Sequence, residues 1–127
     1  MNRGLLLDTH VLIWALSLPG RIPQDVRRDI SRSEVYVSAA SIWEIAIKFV
    51  AGKIEQDPAI VLREVEIAGF DLLPVSGVHA ARTADLNNLG TKDPFDRVLL
   101  AQALHESMTL ITNDAALHRY APTVRVI

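Results

Sequence analysis

Four acidic side chains stand where a carboxylate can do chemistry. Asp8 directly follows the apolar run Leu5, Leu6, Leu7, and Asp114 closely follows Leu110, Ile111, Thr112. Asp96 lies in the first turn of a Pro-led apolar segment, and Glu44 interrupts the stretch S-A-A-S-I-W-E-I-A-I-K. Four like charges brought together repel strongly unless protons or a cation neutralise them. The chain has no cysteine, so a thiolate metal site is excluded and any ion must be held by oxygen or imidazole. An all-oxygen set suits Mg2+ or Mn2+, which keep several waters and take a few carboxylates plus substrate phosphate. The chemistry such a set supports is phosphodiester hydrolysis. Each acid also has a local role open to it. Asp93 and Asp96 can form a capping pair, Asp8 and Asp114 can cap the helices that follow them, and Glu44 can pair with Lys48 at i, i+4.

The element that must position Asp96 is the segment K-D-P-F-D-R-V-L-L-A-Q-A-L-H-E, residues 92–106. Pro94 fits the first helical position, which makes Asp93 the N-cap and Asp96 the third helical residue. From Val98 to Leu104 only Gln102 is polar, so this helix is expected to be enclosed on all sides. Upstream, residues 5–7 read as a strand buried on both faces. Residues 11–18 read as a helix closed by Pro19-Gly20, and a second helix starts near Pro23 with Val26 and Ile30 inward. Val35, Tyr36 and Val37 form the second strand, and Ser38 caps the next helix, which Gly52 stops. On that helix Ile42, Trp43, Ile45, Ala46, Ile47, Phe49 and Val50 span a wide apolar arc, with Ser41, Glu44 and Lys48 as a polar strip. Asp57-Pro58 opens a helix that ends at Gly69, residues 72–75 form a third strand, and Ser76 caps a helix reaching Asn87. Residues 110–112 are a fourth strand, Asp114 opens a short helix containing Leu117, and residues 124–127 close the sheet.

Short apolar runs alternating with helices predict a three-layer α/β fold, with a central, mainly parallel sheet of about four to five strands flanked by helices. In such sheets ligands bind outside the carboxyl ends of the strands. Asp8, Asp96 and Asp114 can all face that edge, and Glu44 can join them.

A chain of 127 residues fits one domain, 1–127, with a core that needs no staples. Half of the residues are apolar and about a fifth are charged, which argues against disorder. The apolar N-terminal stretch is broken by Asp8, and neither half reaches membrane-span length, so a cytoplasmic protein is expected. A net charge of -2 argues against gripping nucleic acid by bulk electrostatics, although Arg27, Arg28 and Arg32 offer a local basic patch.

Taken as a set, L-L-L-D-T-H-V-L-I-W around Asp8, S-A-A-S-I-W-E-I-A-I-K around Glu44, D-P-F-D-R-V-L-L-A-Q-A around Asp96 and L-I-T-N-D around Asp114 resemble PIN domains. They are most similar to toxin nucleases of the VapC type from bacterial toxin–antitoxin pairs. The resemblance implies a PIN-like fold and a Mg2+-dependent endoribonuclease, with Mn2+ as an alternative ion. It also implies a homodimer, a cognate antitoxin whose tail covers the active site, and a higher assembly with that antitoxin. Carried over by residue, the acidic quartet falls on Asp8, Glu44, Asp96 and Asp114, with Asp8 and Asp96 as the leading metal ligands. Thr112 matches a family hydroxyl beside the last acid, and Lys48 and Arg97 are candidates for substrate phosphate. Asp93 ranks below Asp96 because the cap turns it toward its own backbone. His10 adjoins Asp8 but stays outside the primary site, and His79, His105 and His118 show no ligand spacing. Two other readings stay open at this stage. A phosphoacceptor receiver domain would need an acidic pair after the first strand, where Asp8 stands alone. A catalytically inactive PIN-like module binding RNA or antitoxin would share every motif.

Overall fold

In the computed structural model, which describes residues 2–86 and 92–127, five short strands form one sheet in which every pairing is parallel. They are β1 (Leu5–Leu7), β2 (Val35–Ser38), β3 (Asp71–Leu73), β4 (Thr109–Thr112) and β5 (Val124–Val126), in spatial order β3-β2-β1-β4-β5. β1 is central, with Leu6 opposite Tyr36 on one side and Leu110 on the other. Its three leucines are all buried because both faces of the sheet are covered, and alternation with polar residues is therefore lost.

The pleat divides those leucines between two cores. Leu5 and Leu7 pack with Val35, Val37 and Ile111 against α1 (Thr9–Ser17), α2 (Gln24–Arg32), α3 (Ala39–Val50) and α4 (Pro58–Ile67), through Leu12, Val26, Ile45 and Val61. Leu6 points the other way, with Tyr36 and Leu110, onto Leu99, Leu100 and Ala103 of α6 (Pro94–Glu106). Residues 99–103 of α6 are buried in succession, but the helix is not enclosed on all sides as expected: Val98 is half-buried and Leu104 is 39% exposed. α5 (Gly77–Arg82) packs beside it.

Several sequence expectations shift in position. α1 starts at Thr9, two residues early, because Asp8 caps it immediately after β1. β3 lies at Asp71–Leu73 rather than 72–75. The helix that Ser76 caps ends at Arg82 and passes into a 3-10 turn at Thr83–Asp85, while its expected end at Asn87 lies outside the described residues. The segment after Asp114 is a 3-10 helix, Ala115–Tyr120. The polar strip of α3 proves to be its inner side: Ser41 and Glu44 are buried, whereas Trp43, Ile47 and Val50 are 64%, 46% and 87% exposed. Among the described residues no helix is long and apolar enough to cross a membrane.

Candidate active site

From β1 the chain moves outward through β2 and β3, then returns to the other side of β1 as β4. A sheet of this order has its topological switch between β1 and β4, and the crevice there opens beyond the carboxyl ends of the two strands. Asp8 follows β1 and Asp114 follows β4 by one residue, so these two acids flank the crevice. Asp96 arrives on the first turn of α6 and Glu44 on the inner face of α3. All four line one cavity of about 290 Å3, together with Asp93, Thr9, His10, Lys48 and Asn113. A larger groove of about 510 Å3 lies nearby, lined by Trp43, Val75, Phe95 and Val98. Among the described residues Arg97 is the one ionisable group on its walls, so the smaller, acidic cavity is the candidate site.

Each acid is fixed differently. Asp8 is 4% exposed; its Oδ1 accepts from the Val11 N–H at 2.8 Å and its Oδ2 from the Thr112 hydroxyl at 2.5 Å. Burial pushes its carboxyl above the ordinary range, against the opposing pull of these hydrogen bonds and of the His10 charge. The Thr112 hydroxyl also accepts from the Asp114 N–H at 3.0 Å, so one side chain ties the two strand ends together. Asp114 Oδ1 accepts from Ala116 N–H and caps the 3-10 helix. Glu44 is buried, with Oε1 accepting from the Thr9 hydroxyl at 2.5 Å and Oε2 facing Lys48 Nζ at 2.8 Å.

Asp96 is the most perturbed member. Burial, the charge of Asp93, a hydrogen bond with Asp114 and the charges of Asp114 and Asp8 together push its pKa up to about 7. Asp93 accepts from the Phe95 and Asp96 N–H groups, and so caps α6 while adding charge to the pocket. Capping does not take these acids out of the cavity: Asp8, Asp93 and Asp114 each cap a helix and also line it.

This donor set fits a divalent cation. The cavity's carboxylates supply hard oxygens, and burial together with the neighbouring acids raises Asp96 to about 7, a crowding of carboxylates that a cation would relieve. No three of the acids bring ligand oxygens within 4.8 Å of one another, so at most two of them stand close enough to ligate one ion directly, and water or substrate oxygens would complete its shell. Among the described residues, that tighter spacing is met by His79, His105 and Glu106 alone. Their hydrogen bonds make them a pin between α5 and α6. His79 Nδ1 accepts from the Ser76 N–H at 3.0 Å, which places its proton on Nε2, where it is donated to Glu106 at 2.8 Å. His105 Nδ1 faces an Arg82 nitrogen at 3.0 Å and is likewise the acceptor. Neither Nε2 then offers a lone pair to a metal.

Of the side chains expected to touch substrate, Lys48 lines the cavity and also makes the anticipated pair with Glu44. Thr112 is fully buried and its hydroxyl is committed to Asp8. Arg97 turns away from the acids, donating to the Thr83 and Leu86 carbonyls from the wall of the apolar groove. Thr9, His10 and Asn113 join the cavity without having been placed in the primary site. Their adjacency to Asp8 and Asp114 was the available signal; the Thr9 contact with Glu44 depends on packing across 35 residues of chain.

The comparisons agree with this fold. A toxin–antitoxin complex from Klebsiella pneumoniae superimposes with a TM-score of 0.65 at 17% identity, covering 96% of each chain. DNA-bound VapBC from Salmonella typhimurium gives 0.66 at 20% identity, over 100% of this chain and 98% of that one. FitAcB from Neisseria gonorrhoeae gives 0.60 at 25% identity, over 94% and 95%. No curated protein matches closely enough in sequence to support an argument. The PIN domain family model matches residues 5–122, a span that contains all four acids, and the chain belongs to that family.

Proposed function

We propose that the protein is a Mg2+-dependent endoribonuclease, with residues 1–127 acting as one PIN nuclease domain in the cytoplasm. The observation that carries this reading is the convergence of Asp8, Glu44, Asp96 and Asp114 on one cavity, with Asp96 raised to about 7 by burial and by its acidic neighbours. Asp8 and Asp96 would hold the ion, and Glu44 and Asp114 complete the set. Mg2+, or Mn2+ in its place, supplies neutralisation of phosphate charge and activation of water at neutral pH. The chain does the rest. Thr112 and the Val11 N–H fix both oxygens of Asp8, so one acid is oriented before substrate arrives. Glu44 or Asp114 orients the attacking water as a base. No protein nucleophile is required, because the attacking group is water.

By likeness to the Klebsiella and Salmonella complexes, we assign the chain the toxin role in a pair with a cognate antitoxin. The exposed apolar stripe of Trp43, Ile47 and Val50 on α3 supports a homodimer, since a monomer seldom leaves such a face to water. The direct experiment is incubation of purified protein with total RNA in Mg2+, Mn2+ or chelator, followed by mapping of the cut ends. Metal-dependent internal cuts are expected. Cutting that survives chelator, or none in either metal, would sink the proposal.

A further inference from the structure

The pocket's one lysine is held in a way the hydrolytic scheme does not require. Glu44 is buried, and each of its oxygens has a donor from this chain: the Thr9 hydroxyl at 2.5 Å on Oε1 and the Lys48 ammonium at 2.8 Å on Oε2. A desolvated carboxylate without such partners would be costly. The two donors differ in what they can do. Thr9 is 5% exposed at the first position of α1, so its hydroxyl is fixed by the packing of α1 on α3. Lys48 sits one turn beyond Glu44 with its side chain 34% exposed, and its flexible four-carbon stem can carry the ammonium into water. The pocket therefore contains a permanent donor that orients Glu44 and a detachable cation that neutralises it.

We propose that Lys48 is a resident counter-cation of the acidic pocket, presented to Glu44 in an orientation set by Thr9, and that an entering divalent ion competes with it for Glu44. The inference rests on the divalent-ion reading above and adds to it a role for two side chains of this chain. It also reverses the effect expected of a supporting residue. If Lys48 merely held a ligand in place, its loss would weaken ion binding. As a competitor, its loss strengthens it.

The test is calorimetric titration of metal-free protein with Mg2+, in wild type, Lys48→Met, Glu44→Gln and the double variant, with folding checked by circular dichroism. Lys48→Met should bind Mg2+ more tightly by about fivefold, the scale of a partly exposed ion pair. That gain should vanish in the Glu44→Gln background, where there is no charge to compete for. Thr9→Val should shrink the gain by freeing the carboxylate to turn, and Thr9→Ser should restore it. Lys48→Gln serves where Lys48→Met does not fold. Unchanged or weaker binding by both Lys48 variants overturns the proposal, as does a gain that persists in full without the Glu44 charge. A wild type that binds neither Mg2+ nor Mn2+ overturns the divalent-ion reading and this proposal together, whereas the first two outcomes overturn this proposal alone.

Discussion

The Thr112 hydroxyl donates to Asp8 Oδ2 at 2.5 Å and accepts from the Asp114 N–H at 3.0 Å, joining the end of β4 to the acid that follows β1. Thr112→Val keeps the shape and removes both bonds. The loss of a buried hydrogen bond to a carboxylate should cost about 1.5–3 kcal/mol, read as a lower melting temperature. Cleavage should fall with it, and Thr112→Ser should recover both. A Thr112→Val protein with unchanged stability and rate would show that Asp8 is held by other means.

Asp8→Ala and Asp96→Ala test the nuclease reading directly. Both should abolish metal-dependent RNA cleavage, because each removes a carboxylate that lines the acidic cavity. The folded state should persist, as judged by circular dichroism. Robust cutting by either variant would remove the acids from the mechanism.

The Asp96 pKa makes stability depend on pH in a definite direction. Its folded-state value of about 7 exceeds the ordinary 3.8, so the native protein keeps a proton that the unfolded chain has released. That contribution is complete below about pH 4 and is lost as pH rises toward 7. In chelator, the melting temperature of wild type should therefore drop across this window more than that of Asp96→Asn. Above pH 7, Mg2+ at a hundred times its dissociation constant should restore about 2.7 kcal/mol to wild type by mass action. Asp96→Asn and Asp8→Asn should gain much less. A wild type that ignores Mg2+, with a pH profile identical to Asp96→Asn, would leave these carboxylates as helix caps.

His79→Ala separates the histidine cluster from the acidic one. The substitution deletes the hydrogen bonds to the Ser76 N–H and to Glu106 around a ring that is 2% exposed. It should lower stability by about 2 kcal/mol while sparing RNA cleavage below the melting transition. Zinc should not stabilise the wild type through this cluster. A zinc-induced rise in melting temperature that disappears in His79→Ala would make it a metal site after all.

The antitoxin hypothesis follows from the charge of the cavity. A pocket lined by five carboxylic residues should be blocked best by a basic tail, since an arginine guanidinium can fork onto carboxylates. With a co-purified partner, replacing every arginine and lysine of its tail should release cleavage. Full inhibition by the neutral tail would rule out this mode of blocking.

Local chemistry made much of this legible in the sequence. Three leucines in a row announced a strand covered on both faces, Asp93-Pro94 announced the start of α6, and an almost unbroken apolar run announced the burial of its middle, residues 99–103, while Leu104 stays exposed. Each signal acts within a few residues, through backbone geometry or burial of one short element. The motifs around Asp8, Glu44, Asp96 and Asp114 singled out the acids through the family resemblance, and the fold places all four on one cavity. What they could not supply was direction. α3 has apolar residues around most of its circumference, and periodicity alone assigns such a helix no inner face. Packing against α1 and α6 decided it, burying Ser41 and Glu44 and leaving Trp43 in water. Arg97 is one residue from Asp96, yet successive helical positions diverge by about 100°, and its guanidinium went to the Thr83 and Leu86 carbonyls. The pairings of Thr9 with Glu44 and Thr112 with Asp8 span 35 and 104 residues. Only the strand order, which sets β4 beside β1 and brings α3 against α1, could bring those hydroxyls to their carboxylates.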